Sequence, residues 1–468
     1  MTTLATVTSV VMDILDDLKA SCPADRDALT QLQSDQSAAP SVLFAGRGNA
    51  GKSTLVNALL GTPLAETAEL ESTQVLTEYR DGAPARADVI DSDGQVYQVV
   101  AGPTQSHIAL PVAASAVQVV RRWLPSVALR ELRLIDTPGL STLTDQLDAA
   151  ARAALGVTET ASTTSHAFDA DVAVFLFDSE LRADEHEVLA AWQFTPLTTV
   201  GVLSRADAYG AGAFGVSDPI TAAQDRAAAM AEDLRDYVGT VLAVSGICAQ
   251  VSATGTLTQA DARLLAALAD EDRWSLADAA MGGDSVVAQL MRRFGEYTVV
   301  CGREHAGAGA ASLTGWLGAV SGLAALRQTV LDSATRYGPL RRTARVLDEL
   351  ERLALHSPHH AQIRARAHQL RVHSALRSVH MFSDYQRLLR TAPQSPFVDE
   401  LRGLLAHDSP PLQLGLPTSA SAREIADCVH RRLDAVHRAA LLMSTSTAVE
   451  SARLTLSDVY QQVLEGVS

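Results

Sequence analysis

Leu4, Val7, Val11, Ile14 and Leu18 recur at three- and four-residue intervals, the spacing of an amphipathic helix whose apolar face needs partner helices. Asp13, Asp16 and Asp17 interrupt the same stretch, which argues against a signal peptide. Ser34 to Pro40 (SDQSAAP) then reads as a linker. Beyond it the pattern changes to short, continuous apolar runs: SVLFAG at 41–46, LRLID at 132–136, DVAVFLF at 171–177, TTVGVL at 198–203 and TVLAV at 240–244. Helical patterns such as DEHEVLAAW and ITAAQDRAAAMAEDLRDYV lie between them. Buried strands alternating with helices predict an α/β fold with a doubly wound, mainly parallel sheet. Residues 75–100 read as antiparallel strands, with Asp91 to Gly94 (DSDG) as a hairpin turn.

From about Gly322 onward no strand pattern is found. SGLAALRQTVLDSATRYGPLRRTARVLDELERLAL is helical, with a break expected near Gly338-Pro339, and further helices are predicted near 360–391, 397–406, 421–443 and 446–465. Ser421 and Glu424 have the spacing of a capping box. This rear part predicts an all-α bundle, completed by the N-terminal amphipathic helix. The expected division is an N-terminal helix at 1–38, an α/β domain at 39–336 and a helical domain at 337–468.

Composition sharpens this division. The chain's 468 residues favour two or three domains, and a hydrophobic content of 47% argues for a folded chain rather than a disordered one; its net charge is −16. Residues 1–336 hold 22 basic and 41 acidic residues, whereas 337–468 hold 16 and 13. Ala306 to Leu326 carries no charge, and Gly318 and Gly322 form a GxxxG. Its glycines and hydroxyls dilute the hydrophobicity, so small-residue helices packed in protein are expected rather than a membrane span. The four cysteines, Cys22, Cys248, Cys301 and Cys428, lack metal-ligand spacing and read as buried apolar thiols. Only two lysines occur, Lys19 and Lys52, beside 36 arginines. A lysine retained inside a glycine loop therefore marks a site where a compact ammonium is needed.

That loop is GRGNAGKS, Gly46 to Ser53, between a buried strand and a helix, and it fits G-x-x-x-x-G-K-[ST]. In such a loop the backbone N–H groups of Gly48, Asn49, Ala50, Gly51, Lys52, Ser53 and Thr54 face phosphates. Lys52 reaches the β- and γ-phosphates, and the Ser53 hydroxyl ligates Mg²⁺. LIDTPG places Asp136 at a strand end, 83 residues after Ser53, where it would hold Mg²⁺ through water, with the Gly139 N–H toward the γ-phosphate. LSRAD follows the strand at 198–203: Asp207 can accept from guanine N1 and N2, a donor pair adenine lacks, with Ser204 and Arg205 beside it and Arg205 free to stack on the base. Ser245 and Gly246 follow the last strand and are candidates for a base-contacting turn. The threonine that closes over the γ-phosphate and Mg²⁺ is sought in ESTQVLT; Thr73, just before a strand, is preferred to Ser72 and Thr77. Leu140 follows DTPG, so no water-orienting glutamine is present. Asn49 is read either as a ligand for an activating K⁺ or as a turn residue in the left-handed conformation.

With GRGNAGKSTLVNALLG, Thr73, DTPGLS, LSRAD and VSG in place, and RRFGEY leading into a long helix, the chain resembles a bacterial dynamin-like GTPase of the actinobacterial isoniazid-inducible, IniC-like group. The similarity covers about 40–336 and thins after 340. Gly48-Asn49-Ala50 replaces the Gln-Ser-Ser of the dynamin loop, and no lipid-binding paddle matches. The resemblance implies an α/β P-loop GTPase domain with a helical neck and trunk, Mg²⁺-dependent GTP hydrolysis to GDP and self-association through the GTPase domain. It also implies a second dynamin-like partner and peripheral action at the inner face of the cytoplasmic membrane. Residues 341–390, with ten Arg, four Asp+Glu and six His, offer a cationic tip for anionic lipid or, alternatively, a solvated helix pair. A GTP-switched protein scaffold and an RNA-associated GTPase are the competing readings; the net charge of −16 speaks against nucleic acid.

Overall fold

The computed structural model describes residues 4–65, 75–105, 108–138, 170–283, 285–442 and 446–467. Ser41–Gly46 forms strand β1, every residue buried, and its alternation sends the side chains into two different cores. Val42 and Phe44 pack with Leu55, Val56 and Leu60 of the helix Lys52–Leu60. Leu43 and Ala45 pack on the opposite face with Phe175, Phe177 and Leu203. A strand covered on both sides must be apolar at every position, which is why these runs show no polar alternation. Each fully buried side chain of this size contributes roughly 1.5–3 kcal/mol.

The remaining strands are β2 (Thr77–Asp81), β3 (Arg86–Asp91), β4 (Val96–Val99), β5 (Val117–Leu124), β6 (Arg133–Asp136), β7 (Val172–Phe177), β8 (Thr199–Ser204) and β9 (Thr240–Val244). They form one nine-stranded sheet in the order β4-β3-β5-β2-β6-β1-β7-β8-β9. From β6 through β9 all neighbours are parallel. β2 joins β6 antiparallel, and β3 pairs antiparallel with both β4 and β5. The expected mixed, mainly parallel sheet is present, as are the strands read from the apolar runs.

One sequence expectation about the sheet needs correction, and one strand was not anticipated. Residues 75–100 do not form a simple meander, because β5 inserts between β2 and β3 and runs parallel to β2. Strand β5, VQVVRRWL, has no clean period, since Arg122 is itself buried at 1% exposure. Its guanidinium bonds the carbonyls of Leu64 and Gln105 and lies over the Tyr79 ring. The DSDG turn does join β3 to β4: Gly94 has φ +78°, and Asp91 Oδ1 accepts from the backbone N–H groups of Asp93 and Gln95.

The chain divides into two compact units, residues 39–334 and residues 1–38 with 335–468. In the helical unit, helix Leu4–Ser21 buries Val7, Val11, Ile14, Leu15 and Leu18 against helices Arg26–Ser37 and His360–Arg371. Helix Arg26–Ser37 absorbs most of the predicted linker. Its last turn is held by Arg342, which donates to the carbonyls of Gln36 and Ala38, groups a helix end leaves unpaired. The break expected at Gly338-Pro339 does not occur; one helix runs Leu323–His356 with Pro339 inside it. Proline removes one hydrogen bond there. Buried Tyr337, Leu340, Thr343, Val346, Leu347 and Leu350 continue the packed face on either side, and packing rather than propensity holds the helix.

The segment predicted at 360–391 is two helices, His360–Arg371 and Arg377–Thr391, and Phe397–Ala406, Ala422–Leu442 and Thr447–Val467 complete the unit. The Ser421–Glu424 capping box is formed in both directions. Buried Asp384 accepts from Ser451 Oγ and Thr455 Oγ1, fastening Arg377–Thr391 to Thr447–Val467. The arginines of 341–390 are largely engaged: Arg341 and Arg342 are buried, and Arg352, Arg366, Arg371, Arg377 and Arg387 form ion pairs. No helix among the described residues is long and apolar enough to cross a membrane. The uncharged run at 306–326 is split at Ser321-Gly322.

Gly322 has φ +77°, and a Cβ there would stand 2.3 Å from the Ala243 carbonyl oxygen of β9. Gly322→Ala is therefore expected to destabilise residues 39–334 by about 1–3 kcal/mol. Chemical denaturation should show the midpoint fall with the slope unchanged.

Candidate functional site

The C-terminal ends of β6, β1, β8 and β9 lie along one edge of the sheet, as their registers require: Phe44 is beside Asp136, and Ser204 is beside Val244. This edge gathers most of the residues singled out from the sequence. The chain leaves β1 at Gly46 (φ +148°), where a Cβ would stand 2.6 Å from the Leu176 carbonyl oxygen, so only glycine fits. Arg47 to Gly51 then turn tightly. Asn49 adopts φ +63° and Gly51 φ +91°, and the helix Lys52–Leu60 starts at once. Ala50 is buried in the core, while a Cβ at Gly48 or Gly51 would meet no protein atom within 4 Å. The loop is thus anchored on one side and open on the other, toward which a helix N-terminus presents unpaired N–H groups.

Lys52 is 6% exposed and donates to the carbonyls of Gly46 (3.1 Å) and Arg47 (2.9 Å). Ser53 Oγ donates to Asp136 Oδ2 at 2.9 Å, and Asp136 is 1% exposed. Burial lowers the Lys52 pKa even though the Asp136 charge opposes the shift. Burial likewise raises the Asp136 carboxyl to about 6, against the pull of Lys52 and the Ser53 hydrogen bond. For both groups desolvation outweighs their mutual attraction.

The second oxygen, Asp136 Oδ1, is buried and has no hydrogen-bond partner among the described residues. A hydroxyl and a carboxylate with a spare buried lone pair form a hard oxygen donor set, and that set fits Mg²⁺. Ser53 directly, and Asp136 through water, are the residues that would hold it. Thr137, next to Asp136, fixes this turn by donating Oγ1 to the Phe44 carbonyl at 2.7 Å.

At the C-terminal end of β8, Ser204 is buried and its Oγ donates to the Phe177 carbonyl at 2.9 Å. Arg205 takes φ +55°, and its guanidinium bonds the Asn49 carbonyl, which ties the LSRAD turn to the phosphate loop. Asp207 follows in a half-buried turn over Ala206–Ala208. Ser245 caps the helix Gly246–Thr254 by accepting from the Cys248 N–H. A Cβ on Gly246 would meet Thr54 Cγ2 at 3.3 Å, so the turn after β9 abuts the helix of the phosphate loop.

Thr73, Ser72, Gly139 and Leu140 lie outside the described residues. Thr77, the alternative to Thr73, opens β2 opposite Asp136 and serves as a strand residue. Three contacts were not read from the sequence. Arg47 pairs with Asp184 at 2.5 Å, Arg205 bonds Asn49, and Thr137 bonds Phe44. Only Thr137 had a local signal, its place inside DTPG.

Residues 41–201 match the family described as 50S ribosome-binding GTPase. The isoniazid-induced protein IniC of Mycobacterium tuberculosis, in strains CDC 1551 / Oshkosh and ATCC 25618 / H37Rv, is 30% identical over 281 residues, covering 55% of this chain and 55% of IniC. Residues 41–201 thus resemble a GTPase family, and the chain is similar to IniC over about half of its length. The resemblance to the IniC-like group of bacterial dynamin-like GTPases is borne out, and the chain spans about half the length of these curated relatives. Among solved structures, one described as an oligomerised bacterial dynamin pair for long-range sensing and tethering of membranes aligns with 99% of this chain and 77% of its own. It does so at 12% identity and a TM-score of 0.34. An Era variant of Aquifex aeolicus bound to GDP.AlF4- aligns with 45% of this chain and 52% of its own, at 15% identity and a TM-score of 0.25.

Lys52→Met removes the ammonium that would meet the phosphates and leaves the buried Asp136 carboxyl without its opposing charge, so nucleotide binding should be abolished and the nucleotide-free melting temperature should fall. Fluorescent GTP-analogue titration and a thermal scan on the same sample check both halves.

Proposed function

We propose that the chain binds GTP with Mg²⁺, hydrolyses it to GDP, and uses the cycle to drive self-association and peripheral membrane binding at the cytoplasmic face. The observation that carries this reading is the alignment of Lys52, Ser53, Asp136 and Asp207 along one sheet edge. In the proposal the backbone of Gly48 to Thr54 cradles the phosphates, and Lys52 neutralises the β- and γ-phosphates. Ser53, Asp136 and Thr73 hold Mg²⁺, which stabilises charge on the phosphate oxygens when bound, and the Gly139 N–H reads the γ-phosphate. Asp207 selects guanine, Arg205 borders the base, and Ser204, Ser245 and Gly246 shape its pocket. Asn49 is proposed as a K⁺ ligand that substitutes for the missing glutamine.

The proposed mechanical link is the helix Leu323–His356, which begins in residues 39–334 and ends in the helical unit. A second dynamin-like protein is proposed as partner, as the sequence resemblance implies. Capture of this partner, or assembly without lipid as a scaffold, would be read from the same experiment.

Asp207→Asn reverses one hydrogen-bond partner facing guanine. GTP affinity should fall by about 100-fold or more, with xanthosine triphosphate recovering part of it. An unchanged GTP affinity, or ATP preferred by the wild type, would sink the nucleotide assignment. Specific GTP turnover is expected to rise with protein concentration and again on phosphatidylglycerol vesicles, with sedimentation dependent on a GTP analogue. Flat turnover argues against assembly, and vesicle-independent sedimentation favours the scaffold. Turnover should be faster in potassium than in sodium buffer, and Asn49→Ala should remove the difference.

A further inference from the structure

Outside the nucleotide site, one cluster in the helical unit combines three different metal-ligating groups. The turn Cys22-Pro23-Ala24-Asp25, between the first two helices, meets the turn Ser357-Pro358-His359 that ends the long helix. Cys22 is fully buried, Asp25 is 9% exposed, and the His359 side chain is partly buried. One donor atom from each lies within 4.8 Å of the others. His359 Nδ1 stands 3.1 Å from Asp25 Oδ2, and the same oxygen accepts from Ser357 Oγ at 2.6 Å. Cys22 Sγ donates to Gln362 Oε1 at 3.4 Å.

We propose that Cys22, Asp25 and His359 bind one zinc ion. A tetrahedral zinc with bonds of about 2.0–2.3 Å sets its donors roughly 3.3–3.7 Å apart, so the cluster needs to close by only about 1 Å. The buried thiol favours a borderline-soft ion over Mg²⁺ or Ca²⁺, which take oxygen ligands. Water or the Gln362 amide oxygen completes the fourth position. On binding, the Cys22 Sγ–H bond breaks and its proton leaves to solvent as the S–Zn bond forms. Asp25 binds as the carboxylate. His359 stays neutral, with its ring proton on the nitrogen that does not ligate. Ser357, donating to Asp25 and receiving the His359 backbone N–H at 2.9 Å, holds the carboxylate in place from outside the site. The two turns are 334 residues apart in sequence, so the ion would clip the N-terminal helix pair to the end of the long helix by closing a very large loop.

The test uses the full chain, freed of metal with chelator and kept without nucleotide. Zinc titration should give one ion per chain and raise the melting temperature. Cobalt should give tetrahedral visible bands and a near-ultraviolet thiolate charge-transfer band. Cys22→Ser should lose the charge-transfer band, and both Cys22→Ser and His359→Gln should lose stoichiometric zinc and the thermal shift. His359→Gln, at a partly exposed position, decides the matter if Cys22→Ser does not fold. Absence of stoichiometric uptake, or uptake and thermal shift unchanged in His359→Gln, would overturn the proposal and leave a Ser357–Asp25–His359 hydrogen-bond network only.

Discussion

A buried lysine and a buried aspartate that feel each other's charge set an electrostatic constraint on residues 39–334. Lys52 and Asp136 are each almost wholly out of water, and in both burial outweighs the attraction between them. A fold keeps such a pair only if its scaffold holds it in position. Here the scaffold is the sheet edge: β1 delivers the lysine through a turn that only glycine can start, and β6 delivers the carboxylate one strand away. The spare lone pair of Asp136 suits a hard cation, and the open side of Gly48 and Gly51 suits an anion.

The rest of that unit can be read as support for this edge. Full burial of both faces of β1 and β7 fixes the strand positions to within the packing tolerance of a close-packed interior. Arg122, buried under Tyr79, carries the β3–β5 extension and holds the Leu64 carbonyl at the exit from the phosphate-loop helix. Arg205 and Gly246 bring the turns after β8 and β9 against the loop at Gly46–Ser53 and the start of its helix.

The helical unit follows different physics. Its helices are held by apolar stripes and by a few buried polar ties, such as Arg342 on a helix end and Asp384 between two helices. A proline inside the long helix is tolerated because packing continues past it. The arginines that looked like a lipid-facing tip mostly have protein partners, so net charge along a segment overstated the charge available to a membrane. The Cys22, Asp25 and His359 cluster forms where two inter-helix turns meet.

What the chain's order of residues determined by itself was every feature encoded locally. The buried strands showed as unbroken apolar runs, the phosphate loop as glycines around one rare lysine, Asp136 as a carboxylate at a strand end, Asp207 as one just after a strand, and the Ser421 cap as a three-residue spacing to Glu424. What only the tertiary structure decided were the features set by residues far apart in the chain. β5 was hidden because its buried Arg122 pairs with carbonyls from other segments, and the long helix was misread at Pro339 because its stabilising neighbours lie elsewhere. The ties Arg205 to Asn49 and Asp25 to His359 span 156 and 334 residues. No local pattern announces them, because the energy that selects such contacts is gained only after the chain has folded.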